Sequence, residues 1–350
     1  MKNLPVICNI ERILIIKLRG IGDVILTTIV LDNLRKAFPN CQIDFLTDSP
    51  SVPLLKPLKQ IDNVIEFNRK NIFKRLLLFP IIRNKKYDLV LDFFSNPASA
   101  QLTYFSKAKY RVGFPYKGRT YAYNYFGPSE RDKFHSADLN LELLKSINLP
   151  NDSKTLYVGL EENHIKFADD FFYSNFNKNE FVVGIIPGGG WASKKCDPIK
   201  FAEITDEIIS KYNVKVLILW GPGDKTEAEE IIHFMKHKSV LAPATTINQM
   251  AAIIQKCKFI IANDSGPMHI SAALGTPTLA IHGPTNPKLQ GPYGNKHEWV
   301  RYDELSCIEC NLLECPKQHQ CFIDLPLSRI IGKIDKIIEK NKLCLYYEKN

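Results

Sequence analysis

Short apolar runs rich in β-branched residues alternate along the chain with longer segments whose apolar positions recur at helical spacing. Residues 12–18 read as a buried strand, 23–38 as a helix closed by Pro39-Asn40, and 42–46 as the next strand; that order requires a parallel βαβ unit. Further strands are expected at 87–93 and 112–114, and a helix at 136–147. The stretch 151–180 is polar and charged around a short helical patch and reads as the connection between two halves. The pattern then restarts. Strands at 181–186, 214–220, 259–262 and 278–282 alternate with helices at 198–212, 226–236, 247–255 and 266–274, the first of these with Asp197 as its cap and Pro198 in its first turn. A last helix is expected at 327–342. Two successive α/β halves place ligands at the carboxyl ends of their strands, with the cleft between the halves as the expected site.

A length of 350 residues suits two such domains, each able to bury its own core. Ordinary fractions of hydrophobic (45%) and charged (24%) residues exclude a disordered, collagenous or coiled-coil chain. No apolar run approaches the ~20 residues a membrane-spanning helix needs, and the stretch 75–82 is bounded by Lys, Arg and Pro. The start, Met1-Lys2-Asn3-Leu4-Pro5, lacks the regions of a signal peptide, so a cytoplasmic location is expected. A net charge of +9 favours nucleotide phosphates, an anionic membrane surface or nucleic acid as partners. No basic and aromatic nucleic-acid module is seen, which sets that last partner aside. Arg69, Lys70, Lys74, Arg75, Arg83, Lys85 and Lys86 are candidates for an attraction to anionic lipid, the plain alternative being a solvated surface.

Three turns between strand and helix carry candidate chemistry. The first, Lys17-Leu18-Arg19-Gly20-Ile21-Gly22-Asp23, brings a ligand close to the backbone and sets Asp23 in a first turn, where it is either a cap or a reacting carboxylate. A dinucleotide fingerprint would need a third small residue where Ile25 stands. The second, 187–195, exposes backbone donors at Gly188, Gly189 and Gly190 and adds Lys194 and Lys195 as point charges suited to a diphosphate; its alternative is a mobile loop. The third, Asn263-Asp264-Ser265-Gly266-Pro267-Met268-His269, opens a helix whose first N–H groups form an anion site. Trp220-Gly221-Pro222-Gly223-Asp224 is a fourth strand-end turn.

Nine cysteines include a cluster, Cys307, Cys310, Cys315 and Cys321, with His319 inside it. Four thiolates can close a structural zinc site; an iron-sulfur cluster, free thiols and a disulfide are the alternatives.

Taken in order, the Lys17 to Asp23 turn, the loop 187–195, Trp220-Gly221, and Asp264-Ser265-Gly266-Pro267-Met268-His269 with the downstream Gly275-Thr276-Pro277 resemble glycosyltransferase family 9, the lipopolysaccharide heptosyltransferases. Tyr87 to Asp92 and Arg111 to Phe114 look like that family's mid-domain strands. The resemblance implies a GT-B fold, two Rossmann-like doubly wound domains facing across a cleft, with the acceptor on residues 1–165 and the nucleotide sugar on 166–326, followed by a C-terminal helix and tail at 327–350. It implies inverting transfer of a heptose from an ADP-sugar to a lipid-linked core oligosaccharide, on the inner face of the inner membrane. Asp23 is then the candidate general base, with Arg19, Gly20 and Gly22 in the acceptor-side loop. Gly189, Gly190, Lys195, Gly221, Asp264, Ser265, Gly266 and His269 are the donor-binding candidates. No Asp-x-Asp pair occurs in the sequence, which argues against an obligatory magnesium ion; no cofactor is expected for catalysis. The competing readings are a sugar-nucleotide epimerase of the same fold, a nicotinamide oxidoreductase and a non-catalytic sugar-nucleotide binder. The loop departs from the family in reading Gly-Gly-Gly-Trp where hydroxyl residues are often found.

Overall fold

The computed structural model describes residues 7–345. The first six residues, read above for a leader, and the last five of the expected tail lie outside the described residues. The chain forms two compact units that divide after Gly159.

In the first unit the order is β1 (Arg12–Ile16), α1 (Ile21–Thr27), α2 (Leu31–Ala37), β2 (Gln42–Asp48), α3 (Val52–Leu55), β3 (Asn63–Phe67), α4 (Ile72–Asn84), β4 (Leu89–Asp92), α5 (Pro97–Ser106), β5 (Tyr110–Gly113), β6 (Tyr125–Phe126) and α6 (Ser136–Lys145). All strands pair in parallel in the order β3-β2-β1-β4-β5-β6. Helices must cover both faces of such a sheet, so its central strand is apolar after the exposed Arg12: Ile13, Leu14, Ile15 and Ile16 are all fully buried. Each such side chain contributes roughly 1.5–3 kcal/mol through burial.

The second unit runs α7 (Glu162–Asn175), β7 (Val182–Ile186), α8 (Pro198–Tyr212), β8 (Lys215–Ile218), α9 (Lys225–Phe234), β9 (Val240–Leu241), α10 (Ile247–Lys256), β10 (Phe259–Asn263), α11 (Gly266–Ala273), β11 (Thr278–Ile281), α12 (Pro287–Gln290), β12 (Glu298–Val300), α13 (Gln320–Ile323) and α14 (Leu327–Lys340). Its sheet, β12-β11-β10-β7-β8-β9, repeats the strand order of the first unit. Ile330, Ile334 and Ile337 of α14 enter the same core as Ile185 and Ile261.

In both units the strand order reverses beside the central strand, between β1 and β4 and between β7 and β10. There the connections leave in opposite directions and open a crevice at the carboxyl edge of the sheet. The turns at 17–23, 187–195 and 263–269 sit at these two crossings, while the Trp220 to Asp224 turn follows the neighbouring β8.

Two expectations are corrected. The helix expected over 23–38 is broken by a 3-10 turn, Thr28–Val30. The Thr27 hydroxyl donates to the Asp23 carbonyl (2.8 Å) and the Thr28 hydroxyl to the Ile25 carbonyl (2.6 Å), and such back-bonding bends a helix. The connection expected over 151–180 contains the 14-residue helix α7. Among the described residues no helix is long and apolar enough to cross a membrane.

Candidate functional site

At the crossing of the first unit the chain leaves β1 through two residues with positive φ, Arg19 (107°) and Gly20 (73°). Glycine takes this conformation without cost, and a Cβ at position 20 would lie 2.8 Å from Asp23 Oδ2. Arg19 has no such freedom, so the neighbouring structure must hold the bend. Arg69 supplies part of that hold: it pairs with Asp48 and donates to the Leu18 carbonyl at 3.3 Å. Gly22 is buried in the first turn of α1, and Arg19 and Gly20 are exposed.

The Asp23 carboxylate stands in that same turn with its side chain 48% exposed, open to solvent. Its cation is Lys17, whose Nζ lies 3.5 Å from Asp23 Oδ1. Lys17 is buried, donates to the Phe93 carbonyl (3.2 Å) and sits over the Phe94 ring. The loop carrying Phe93 is fixed by Asp92, fully buried, which accepts from the amides of Phe94 (3.0 Å) and Ser95 (2.8 Å) and from the Tyr123 hydroxyl (2.7 Å). Burial pushes the Asp92 carboxyl up despite these bonds. A line of contacts thus runs from Tyr123 through Asp92 and Lys17 to Asp23.

In the second unit Asn263, fully buried at the end of β10, joins the two loops of the crossing. Its amide donates to the Pro187 carbonyl (2.6 Å) and its oxygen accepts from the Cys196 amide (3.3 Å). Gly188 packs closely on Asp224: a Cβ there would meet its Oδ2 at 2.5 Å and displace that carboxylate. Gly189, Gly190, Trp191, Lys195, Glu227 and His319 are among the residues lining a cleft of about 480 Å³. Gly221 lies at the foot of the turn that carries Asp224, whose amide donates to the Gly221 carbonyl.

The two adjacent lysines part company. Lys195 faces the cleft and pairs with Asp224 (2.9 Å) and Glu227. Burial lowers its affinity for a proton, but those two carboxylates more than offset this and raise it above the usual lysine range. Lys194, the last residue of a 3-10 turn, instead turns inward over the Trp191 ring and reaches Asp264 Oδ2 at 2.6 Å. Thr285 donates to the same oxygen (2.6 Å) and the His282 ring lies 3.3 Å from the Thr285 hydroxyl. Burial works against ionisation of Asp264, and His282, Lys194 and Thr285 together hold its carboxyl below the usual range.

Asp264 is therefore a buried partner of Lys194, with Ser265 and Gly266 as the neighbours that open α11. Ser265 occupies the cap position, yet its hydroxyl makes no cap bond and is buried without a partner among the described residues. The first turn of α11 also leaves backbone N–H groups with no partner inside the helix. His269 is buried in that helix. Lys194, expected as a point charge for a diphosphate, instead pairs with the buried Asp264, and Asn263, Thr285 and Glu227 are contributors that sequence reading missed. Asn263 lay inside a motif already singled out, whereas Thr285 and Glu227 lie on elements with no motif signal of their own.

The cysteine cluster lies together in the second unit. Cys307, Cys310, Cys315 and Cys321 line one small cavity of about 20 Å³ with Ser193 and Gly283. The Cys315 sulfur accepts from the amides of Lys317 (3.4 Å) and His319 (3.3 Å). Among the described residues no three His, Cys, Asp or Glu side chains are gathered so as to hold a metal ion, and the zinc reading finds no support here. All four are free cysteines, and burial, followed by the neighbouring thiols, pushes the Cys321 thiol up to about 12, keeping it protonated.

Residues 75–320 match the model of glycosyltransferase family 9 (heptosyltransferase). The lipopolysaccharide core heptosyltransferase OpsX of Haemophilus influenzae is 25% identical over 292 residues, spanning 81% of this chain and 82% of its own. Among solved structures, a family 9 glycosyl transferase from Veillonella parvula superposes with a TM-score of 0.83 at 22% identity, covering 94% of this chain and 97% of that one. The ADP-heptose lps heptosyltransferase II of E. coli gives 0.77 at 20% identity, covering 95% and 99%. These likenesses establish the GT-B class of the fold and lend no support to the epimerase or nicotinamide readings. With well over half of its length matched by the family model, the chain belongs to glycosyltransferase family 9, the heptosyltransferase family.

Proposed function

We propose that the protein transfers a heptose from ADP-heptose, with inversion, to a lipid-linked core oligosaccharide of lipopolysaccharide. The donor and acceptor chemistry is suggested by the named relatives, which act in lipopolysaccharide core assembly or carry ADP-heptose in their names. One observation carries the residue roles: the same strand crossing presents a half-exposed carboxylate in the first unit, and Lys195 with open helix amides in the second. The first unit, up to Gly159, takes the acceptor and the second, from Leu160, the nucleotide sugar.

In this reading Asp23 accepts the proton of the acceptor hydroxyl as its oxygen attacks the anomeric carbon. The bond from that carbon to the diphosphate breaks with its electron pair, and ADP departs from the opposite face. Arg19, Gly20 and Gly22 shape the acceptor side. Negative charge growing on ADP meets Lys195 and the amides of Gly189, Gly190, Ser265 and Gly266, with His269 beside them. Gly221 leaves room beside the diphosphate, and Asp264 holds Lys194 and the start of α11 in place. The step draws on side chains and amides of this chain alone. The lipid-linked acceptor places the work at the cytoplasmic face of a membrane, with the protein attached peripherally.

Titration calorimetry against ADP, ADP-heptose, UDP-sugars and NADH tests the donor. Tight binding of ADP and ADP-heptose alone is the expected result. Preference for a UDP-sugar would replace the sugar chemistry, and selective NADH binding would overturn the reading.

A further inference from the structure

Helix α4 is apolar on both faces. Leu78 and Ile82 point into the core with the partly buried Phe79, as an amphipathic helix requires. On its outer face Ile72, Phe73, Leu76, Leu77 and Ile81 are 54, 76, 58, 59 and 44% exposed. The patch continues onto α5, where the exposed Phe105 packs edge-on against Phe79 (centroids 5.2 Å apart) and Tyr104 packs against Tyr121 (5.6 Å). A contiguous apolar surface of this kind marks an interaction site rather than ordinary surface.

Its surroundings specify the partner. Residues 67–129 hold twelve Lys and Arg against two acids, Asp88 and Asp92, a net +10; the other residues hold 34 against 35, a net −1. The whole positive charge of the protein therefore lies in the segment that carries the patch. Asp92 is fully buried, and acids outside the segment pair with two of its cations, Asp48 with Arg69 and Asp44 with Lys85, which leaves the remaining cations around the patch in large excess. Lys70, Lys74 and Lys86 are exposed, and Lys107 caps the Tyr104 ring at 4.4 Å. Apolar side chains at the centre with tyrosines and long cations around them fit a bilayer interface, where the chains enter the acyl boundary and the ammonium groups meet phosphate.

We propose that the outer face of α4, with Tyr104, Phe105 and Tyr121, docks onto an anionic phospholipid bilayer. The inference rests on the reading of a lipid-linked acceptor and adds the surface by which the protein reaches it.

The test is sedimentation of the full chain with large unilamellar vesicles of phosphatidylethanolamine and phosphatidylglycerol, against vesicles of phosphatidylcholine alone. Binding to the anionic vesicles only, weakened by salt, is expected. The double variant Phe73→Ser, Leu77→Ser should lower the vesicle partition coefficient at least ten-fold, and Lys70→Gln, Lys74→Gln several-fold. Both sets of side chains are exposed, so melting temperature and ADP affinity should stay at the wild-type value. Equal binding by the Phe73, Leu77 variant overturns the proposal. So does a wild-type dimer that this variant converts to monomer without any vesicle binding, which would make the patch a contact between copies. Heptose transfer to a water-soluble, delipidated core acceptor separates the two readings. Transfer without vesicle binding removes the docking surface and leaves the function, whereas vesicle binding without transfer to any acceptor removes the function and leaves the surface.

Discussion

Asn263 donates to the carbonyl of Pro187 at 2.6 Å, joining the ends of two neighbouring strands that lie 76 residues apart in sequence. The bond is buried, and Asn263 also holds the Cys196 amide, so one side chain sets the spacing of the glycine loop and the start of α11. Asn263→Ala would strand two buried backbone groups at a cost of roughly 1–3 kcal/mol each. The expected result is a lower urea midpoint together with loss of ADP affinity; an unchanged ADP affinity would show that the two loops do not depend on this bond.

Lys194 and Lys195 should behave differently. Lys194→Met leaves the Asp264 carboxylate buried without its cation, a change of about 3–5 kcal/mol by analogy with broken buried pairs. Lys195→Met removes a part-exposed cation whose partners are at the cleft, and should leave the melting temperature nearly unchanged while weakening ADP binding ten-fold or more. Calorimetry and thermal unfolding of both variants check this, and a stable Lys194→Met protein would refute it.

For Asp23→Asn the expectation is a fall in kcat of about 10²–10⁴ with unaltered ADP affinity. The shape is preserved, while the capacity to take a proton is lost together with the charge beside the buried Lys17, so stability falls modestly. Turnover at the wild-type rate would show that the carboxylate serves only as the partner of Lys17, since the cap position of α1 belongs to Gly20 and no side chain bonds there.

Stability should fall in mild acid. His282 is fully buried and His297 nearly so, and burial pushes each ring down to about 4 from an ordinary 6.5. The unfolded chain thus binds protons between pH 6.5 and 4 that the folded chain refuses. The stability each ring contributes is complete above pH 6.5 and declines toward pH 4, by about 3 kcal/mol at most. Urea unfolding at pH 7.5, 5.5 and 4.5 measures it, and His282→Gln should flatten the slope; a flat wild-type profile would contradict it.

The fold was legible where burial made the pattern uniform. The central strands at 12–18 and 181–186 stand out because helices cover both of their faces, and Asp197-Pro198 announces α8 through its cap. By contrast α4 escaped notice because Phe73 and Leu77 point outward while Leu78 and Ile82 point inward, which erases the amphipathic signal, and Pro80 lies inside it. The two short edge strands, β9 and β6, are too brief to register. At the candidate site, glycine and acid spacing marked the three turns correctly on the strand ends. What a linear reading lacked was side-chain direction: Lys194 and Lys195 are neighbours in sequence but leave a 3-10 turn on different sides, and Thr285 reaches Asp264 from a segment 21 residues away.

In each unit the central strand pairs with a partner far along the chain: Ile13 lies beside Leu89, and Val183 beside Phe259. Both separations are 76 residues. At about 5–20 residues per second, a ribosome needs roughly 4–15 seconds to deliver the second strand after the first. During that interval β1 or β7, apolar on both faces, waits with one edge open, and the crevice beside it does not yet exist. The crossing that makes the chemistry possible is thus a late event of synthesis in each half, and the nascent chain depends on shielding of a bare strand until then.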